Sequence, residues 1–210
     1  GAGKTRTAAE WVREEAKYPE ASSGPAAVDG THSHTLLEHC IKNALMTPLT
    51  LVGETLEDKE GKFVVDMDRA LRVEIAMHYI RTRVGEYNAL CEVLSEEQVN
   101  CKWLTGREDM HGTIDCQIWG GRLYEIIDYK DGMGLVEAEG NHQLEQYAVG
   151  VLSKFKLDKP EYPFDTVRLT IIQPKLKMKG MEPISSFDMD VLDVLEVALK
   201  LDDEGLAVDR

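Results

Sequence analysis

The chain's 210 residues predict an α/β fold, in which a central mixed β-sheet is flanked by helices. Segments rich in β-branched and aromatic residues recur near 112–119, 122–129 and 166–173, and amphipathic segments of helical period both precede and follow them. The pair Gly120-Gly121 separates two of these runs as a hairpin turn separates strands. Hydrophobic residues make up 43% of the chain, enough for one sizeable core, and nothing forces a second domain, so residues 1–210 read as a single domain.

In chain order, the pattern predicts a helix near 4–17, then a loop over Ala21 to Gly30 on account of its Ser, Gly and Pro content. A helix near 31–46 follows, with Leu37, Ile41 and Leu45 as its apolar stripe. A longer amphipathic helix near 67–88 leads into a strand near 90–95. The strands near 112–119 and 122–129 come next, then a helix at 141–155, a strand at 166–173 and a final helix at 187–201. Internal repeats and low-complexity tracts are absent from the sequence.

Composition narrows the function classes. No apolar run approaches the roughly 18 residues of a membrane span, and no signal-peptide pattern is present, which predicts a cytoplasmic protein without a membrane partner. The sequence opens on Gly1 without a methionine, so the reading allows for a missing native start. Cys40, Cys91, Cys101 and Cys116 show no Cys-x-x-Cys spacing, which argues against a zinc site or a disulfide framework. The formal charge of −14 opposes general affinity for nucleic acid, but its distribution is uneven. Lys154, Lys156 and Lys159 form one basic cluster, and Lys175, Lys177 and Lys179 form another after the strand-like TVRLTIIQP. Either cluster can line a DNA track, or be an ordinary solvated loop.

The segment GTIDCQIWGGRLYEIIDYK, from Gly112 to Lys130, carries the chemistry. A turn at Gly120-Gly121 sets Trp119 opposite Arg122, Asp115 opposite Ile126 and Asp128 opposite Thr113. Alternation then puts Asp115, Asp128 and Lys130 on one face and turns Glu125 to the other. The two aspartates become diagonal neighbours with Cβ atoms roughly 7 to 8 Å apart, a gap that a cation with metal–oxygen bonds of about 2.1 Å can bridge. The competing reading is a solvated hairpin face, and a slip of one residue in register would separate the carboxylates.

These residues resemble the PD-(D/E)XK nuclease superfamily, whose signature is an acid followed by a strand ending in acid-x-Lys, here Asp115, Asp128 and Lys130. The resemblance narrows to the RecB-like branch through Gly30 and His34 as Gly-x-x-x-His, and through Gln143 and Tyr147 as Gln-x-x-x-Tyr. With the stretch QPKLKMKG, the chain looks most like phage-encoded RecB-type exonucleases over about residues 25–180. The resemblance implies a restriction-endonuclease-like core and a Mg²⁺- or Mn²⁺-dependent DNA exonuclease of phage recombination or DNA processing, with 5′-phosphorylated products. It assigns His34, Asp115, Asp128 and the carbonyl of Tyr129 to the metal. Lys130 would position or activate the attacking water, and Gln143 and Tyr147 would orient DNA and the lysine. DNA is the implied partner, with a single-strand annealing protein and further copies of the chain as others. Branch members with an iron–sulfur cluster use one early and three late cysteines, and no cysteine follows Cys116, so no cluster is expected.

Bottom-up chemistry accommodates these roles. A histidine in the first turn of a helix near 31–46 can project toward the sheet, although His32 and His39 lie close by, and Glu38 one turn on is either its partner or a solvated acid. Gln143 and Tyr147, four apart, stack on one helical face. Two decoys are set aside. GAGKTRT lacks the first glycine and the strand of a P-loop, and His32-Ser33-His34 lacks a downstream partner for a His-x-His zinc site. The rival readings are a structure-selective endonuclease of the same fold and a non-catalytic acidic protein that binds a partner.

Overall fold

The computed structural model describes residues 24–88, 90–156 and 161–208. The helix expected near 4–17, Lys159 and the P-loop-like opening lie outside the described residues.

The architecture is α/β, a five-stranded mixed sheet flanked by helices, as the sequence predicts. Helix α1 spans Pro25–Lys42, followed by a small hairpin of β1 (Thr55–Asp58) and β2 (Gly61–Val64), and by α2 (Met67–Glu86). The sheet consists of β3 (Cys91–Asn100), β4 (His111–Gly120), β5 (Leu123–Tyr129), β6 (Thr166–Ile172) and β7 (Ile184–Asp190), in that spatial order. A single turn, α3 (Lys102–Thr105), follows β3; α4 (His142–Phe155) joins β5 to β6, and α5 (Val191–Val208) closes the chain. Only the β5–β6 pair is parallel; the other pairs of this sheet are antiparallel. The connection through α4 makes that pair possible, since a parallel neighbour needs a crossover.

Two cores form, one on each face. Ile126, Ile114, Val167 and Leu169 pack against α4 and α5, while Cys116, Ile118, Ile127 and Tyr129 pack against α1 and α2. Strand β5 is buried along nearly its whole length, as a central strand covered on both faces must be. Helix α4 buries Leu144, Tyr147, Ala148, Val151 and Leu152, a stripe at helical spacing, and its N-cap Asn141 accepts the amide of Leu144 at 3.1 Å. Each fully buried aliphatic side chain here stabilises the fold by roughly 1.5–3 kcal/mol before entropy is subtracted. All four cysteines are free thiols. Among the described residues no helix is long and apolar enough to cross a membrane.

Four elements depart from the sequence reading. Residues 25–30 are helical, because Pro25 at the first position suits a helix start and Asp29 is anchored by Arg69, Arg72 and Lys175. Hairpin β1–β2 escapes the pattern because its short strands are mostly charged or exposed. Strand β3 runs on to Asn100. Residues 187–190 belong to β7: Phe187 and Met189 alternate with aspartates and pair with Leu169 and Val167, and the helix starts only at Val191.

Candidate active site

The turn of the central hairpin uses Gly121 and Arg122, with Gly121 at φ 55°, so Gly120 faces Leu123 and Trp119 faces Tyr124. The expected register is therefore displaced by two residues. A shift by an even number preserves which face a side chain occupies, and Asp115 comes opposite Asp128 instead of diagonal to it. The β4–β5 ladder closes at Cys116 and Ile127, and beyond it the Asp115 carboxylate accepts the Tyr129 amide at 2.7 Å.

Asp115 also marks a rotation of the strand. Ile114 packs on the α4 side and Cys116 on the α1 side, although residues two apart share a face in a regular strand. Across from it, Glu96 has φ 54° and the β3–β4 pairing skips the Glu96–Asp115 pair. The carboxylate thus sits at the open end of the hairpin, within reach of both layers.

From the α1 side comes His34. The helix begins six residues earlier than the sequence suggests, so His34 lies in its third turn and not its first. Its Nε2 is 3.4 Å from Asp115 Oδ2, its Nδ1 is 2.9 Å from the Gly30 carbonyl oxygen, and its ring stands edge-on to Tyr129. Gly30 in Gly-x-x-x-His therefore supplies the carbonyl that fixes the tautomer and leaves Nε2 facing the acids. Burial lowers the His34 pKa, but the hydrogen bond and charge of Asp115 outweigh it and raise the pKa to about 9. His32 turns away to Asp58 at 2.7 Å and stacks on Phe63.

From the α4 side come Gln143 and Tyr147. Lys130 Nζ lies 3.0 Å from Asp128 Oδ2 and donates to Gln143 Oε1 at 2.9 Å; Gln143 Nε2 in turn donates to the Tyr147 hydroxyl at 3.0 Å. Gly112 lets the Tyr147 ring approach β4, since a Cβ there would lie 2.5 Å from Cε1. Asp128 is 6% exposed, and the Lys130 ammonium lies out of hydrogen-bond alignment with Oδ2, so that buried oxygen has no hydrogen-bond partner among the described residues. Burial first and the Asp115 charge second push the Asp128 pKa up to about 6.

Tyr129 turns its side chain into the α1 layer, where its hydroxyl donates to Asp131. Glu125 points to the same layer, fully buried among Arg83, Tyr79 and Thr170, and takes no part in the site. The lysines after β6 are not all open to solvent. Lys175 is ion-paired to Asp29 at 2.9 Å and Asp131 at 3.5 Å, whereas Lys177 and Lys179 are exposed, Lys179 Nζ donating to the Met133 carbonyl. Two acids already surround Lys175, so its charge is neutralised before any phosphate arrives. Lys154 and Lys156 are exposed at the end of α4, away from that network.

Two further groups escape the sequence reading. Glu96 lies beyond the predicted end of β3, and burial followed by the charges of Asp115 and Glu38 pushes its pKa up to about 7. Asp131 receives Ser33 Oγ at 3.1 Å, the Tyr129 hydroxyl at 3.1 Å and Arg72, tying the helix of His34 to the strand of Lys130. No motif flags either, because Glu38 and Asp115 around Glu96, and Ser33 and Arg72 around Asp131, are distant in sequence.

Two facing carboxylates, one with an unpartnered buried oxygen, beside an imidazole whose Nε2 faces the Asp115 carboxylate and can bind an ion once deprotonated, fit a hard divalent cation such as Mg²⁺ or Mn²⁺. Among the described residues, however, no three His, Cys, Asp or Glu groups already stand in a coordinating arrangement. The family model described as a protein of unknown function, DUF2800, matches residues 7–202, and the chain belongs to that family.

Proposed function

We propose that the chain is a Mg²⁺- or Mn²⁺-dependent DNA nuclease, acting as an exonuclease. The observation that carries this reading is the contact chain from Asp128 through Lys130 and Gln143 to Tyr147, facing Asp115 and His34 at one end of the sheet. Asp115, Asp128, His34 and the carbonyl of Tyr129 would hold the ion. Bound there, it would supply Lewis-acid polarisation of the phosphate and lower the pKa of a bound water.

The protein's own groups have separable tasks. Lys130, held between Asp128 and the Gln143 carbonyl oxygen, keeps an ammonium aimed where charge develops on a phosphate, which favours the transition state over the bound substrate. Gln143 and Tyr147 keep that ammonium in place. Asp115 is held by the Tyr129 amide, so its orientation is set before substrate arrives. DNA processing during phage recombination, beside a single-strand annealing protein, suits this chemistry.

End-labelled linear DNA and closed circular DNA, each incubated with and without Mn²⁺, test the reading. Mn²⁺-dependent loss of linear DNA alone is expected. Cleavage of closed circles would replace the exonuclease with an endonuclease, and no cleavage of either would remove the nuclease reading.

A further inference from the structure

A groove of about 640 Å³ lies on the α4 face beside the β3 edge, between β3, α3 and the end of α4. Its lining includes Gln98, Asn100, Lys102, Trp103, Lys154 and Lys156. Ser153 also lines it, 3% exposed, and its hydroxyl has no hydrogen-bond partner among the described residues. A buried hydroxyl left unpaired is costly, and a ligand that accepts or donates there relieves the cost. Trp103 is 49% exposed, so it offers aromatic surface to the groove on which a planar group can stack. Lys154 and Lys156 stand on the rim without an ion pair among the described residues, while Lys102 meets only the exposed Glu108. A second hollow of about 300 Å³ shares Gln98, Asn100 and Lys102 with the first and continues past His111 to Gly112 and Thr113. Gly112 is also the residue against which the Tyr147 ring packs, so the second hollow and Tyr147 meet the same point of β4.

We propose that this groove binds an unpaired DNA strand, with Trp103 stacking on a base, Lys102, Lys154 and Lys156 neutralising phosphates, and the strand leading past Gly112 toward Tyr147. Stacking platforms combined with a cationic rim are the means by which proteins hold single strands without reading sequence. A duplex keeps its base faces covered and offers Trp103 nothing to stack on. The proposal rests on the nuclease reading for its choice of DNA and deepens it by naming the form of the substrate.

The test uses the full chain carrying Asp115→Asn, in EDTA, with a fluorescein-labelled oligo-dT and a blunt duplex of equal length. Trp103→Ala is expected to weaken oligo-dT binding about tenfold while changing duplex binding less than twofold. The double variant Lys154→Ala and Lys156→Ala is expected to weaken it similarly and to make the salt dependence shallower by about one unit of slope. Because both lysines are exposed, that variant keeps the test valid if Trp103→Ala fails to fold. Oligo-dT affinity and salt slope unchanged in the lysine variant, or equal losses for oligo-dT and duplex, would overturn the proposal. The nuclease reading fails separately: oligo-dT binding that depends on Trp103 and the lysines, in a chain that cleaves nothing with Mn²⁺, supports the groove and removes the enzyme.

Discussion

Glu96 and Asp115 stand opposite one another where the β3–β4 pairing lapses, and on both strands the buried face changes there. Cys91 and Val93 lie on the α1 side but Val99 on the α4 side, just as Cys116 and Ile114 divide across Asp115. A regular ladder would point Asp115 squarely at one helical layer. The rotation brings it between the layers, where His34 from α1 and the Lys130–Gln143–Tyr147 chain reaching α4 both approach.

Asp115→Asn and Asp128→Asn each remove a charge without removing volume, and each is expected to lower Mn²⁺-dependent DNA cleavage by at least about a hundredfold. Their stabilities should diverge. Asp128 is buried beside a like charge, so Asp128→Asn is expected to stabilise the metal-free protein at neutral pH, on the order of 1–2 kcal/mol. Asp115 has the Tyr129 amide and His34 as partners, so its replacement should not stabilise. Urea denaturation of both variants in EDTA checks the contrast; a destabilised Asp128→Asn protein would show that its link to Lys130 outweighs the repulsion.

The metal-free site should weaken as pH rises. His34 has its pKa raised from 6.5 to about 9, so its contribution is full below about 6.5 and lost as pH climbs through about 9. Asp128, raised from 3.8 to about 6, acts in the same direction at lower pH: its ionisation costs stability between about 4 and 6. Thermal midpoints in EDTA should therefore fall between pH 6.5 and 9 by more in the wild type than in His34→Gln. Cation affinity should move the opposite way, rising with pH as His34 gives up its proton, and calorimetry in buffers of different ionisation enthalpy would register the release. Parallel midpoint curves for the two proteins would rule out His34 as the titrating group.

Lys130 is held by two neighbours and Tyr147 by a glycine, and the variants should rank accordingly. Lys130→Ala is expected to lower turnover about a hundredfold or more with DNA affinity little changed, because its charge matters most as the phosphate develops negative charge. Tyr147→Phe keeps the ring and loses the acceptor for Gln143, for a loss of about tenfold or less. Gly112→Ala drives a methyl into that ring and should both lower turnover and destabilise by about 1–3 kcal/mol. Single-turnover kinetics with saturating enzyme separates these effects, and a Gly112→Ala protein of wild-type activity would show that Tyr147 moves freely.

Much of this arrangement was legible in the sequence, for a physical reason. Strand alternation survives a register shift of two, so Asp115, Asp128 and Lys130 remained grouped although the turn sits at Gly121-Arg122 instead of Gly120-Gly121. Helical spacing likewise placed Gln143 and Tyr147 together. What local pattern does not carry are the contacts between distant segments. Nothing near Glu96 signals a positive φ, nothing near Asp131 signals Ser33, and the run Lys175, Lys177, Lys179 reads as open charge because Asp29 lies far away in sequence. Residues 187–190 read as the start of the final helix because the apolar period of α5 extends backward into Phe187 and Met189, which β6 captures by pairing.

The fate of Lys175 gives the clearest separation of fold from binding. Asp29 loses solvation on burial, which raises its pKa, but hydrogen bonds from Lys175 and Arg69 and the charge of Arg72 outweigh this and hold it well below the ordinary carboxylate range. A depressed carboxylate contributes stability above its unfolded pKa of about 3.9 and loses it as pH falls below that value. Lys175→Ala removes the group that also faces Asp131, which is 9% exposed and would keep only Arg72 as a cationic partner. We therefore expect Lys175→Ala to destabilise the protein by about 1–3 kcal/mol at neutral pH, with most of the deficit persisting down to pH 3, because Asp29 stays ionised in the folded wild type until pH reaches its depressed pKa. Its effect on DNA affinity should be less than twofold, whereas Lys154→Ala with Lys156→Ala should leave stability within about 0.5 kcal/mol of wild type. Chemical denaturation between pH 3 and 7, beside oligo-dT binding at two salt concentrations, measures both axes. A Lys175→Ala protein of unchanged stability and weakened binding would return this lysine to the DNA surface.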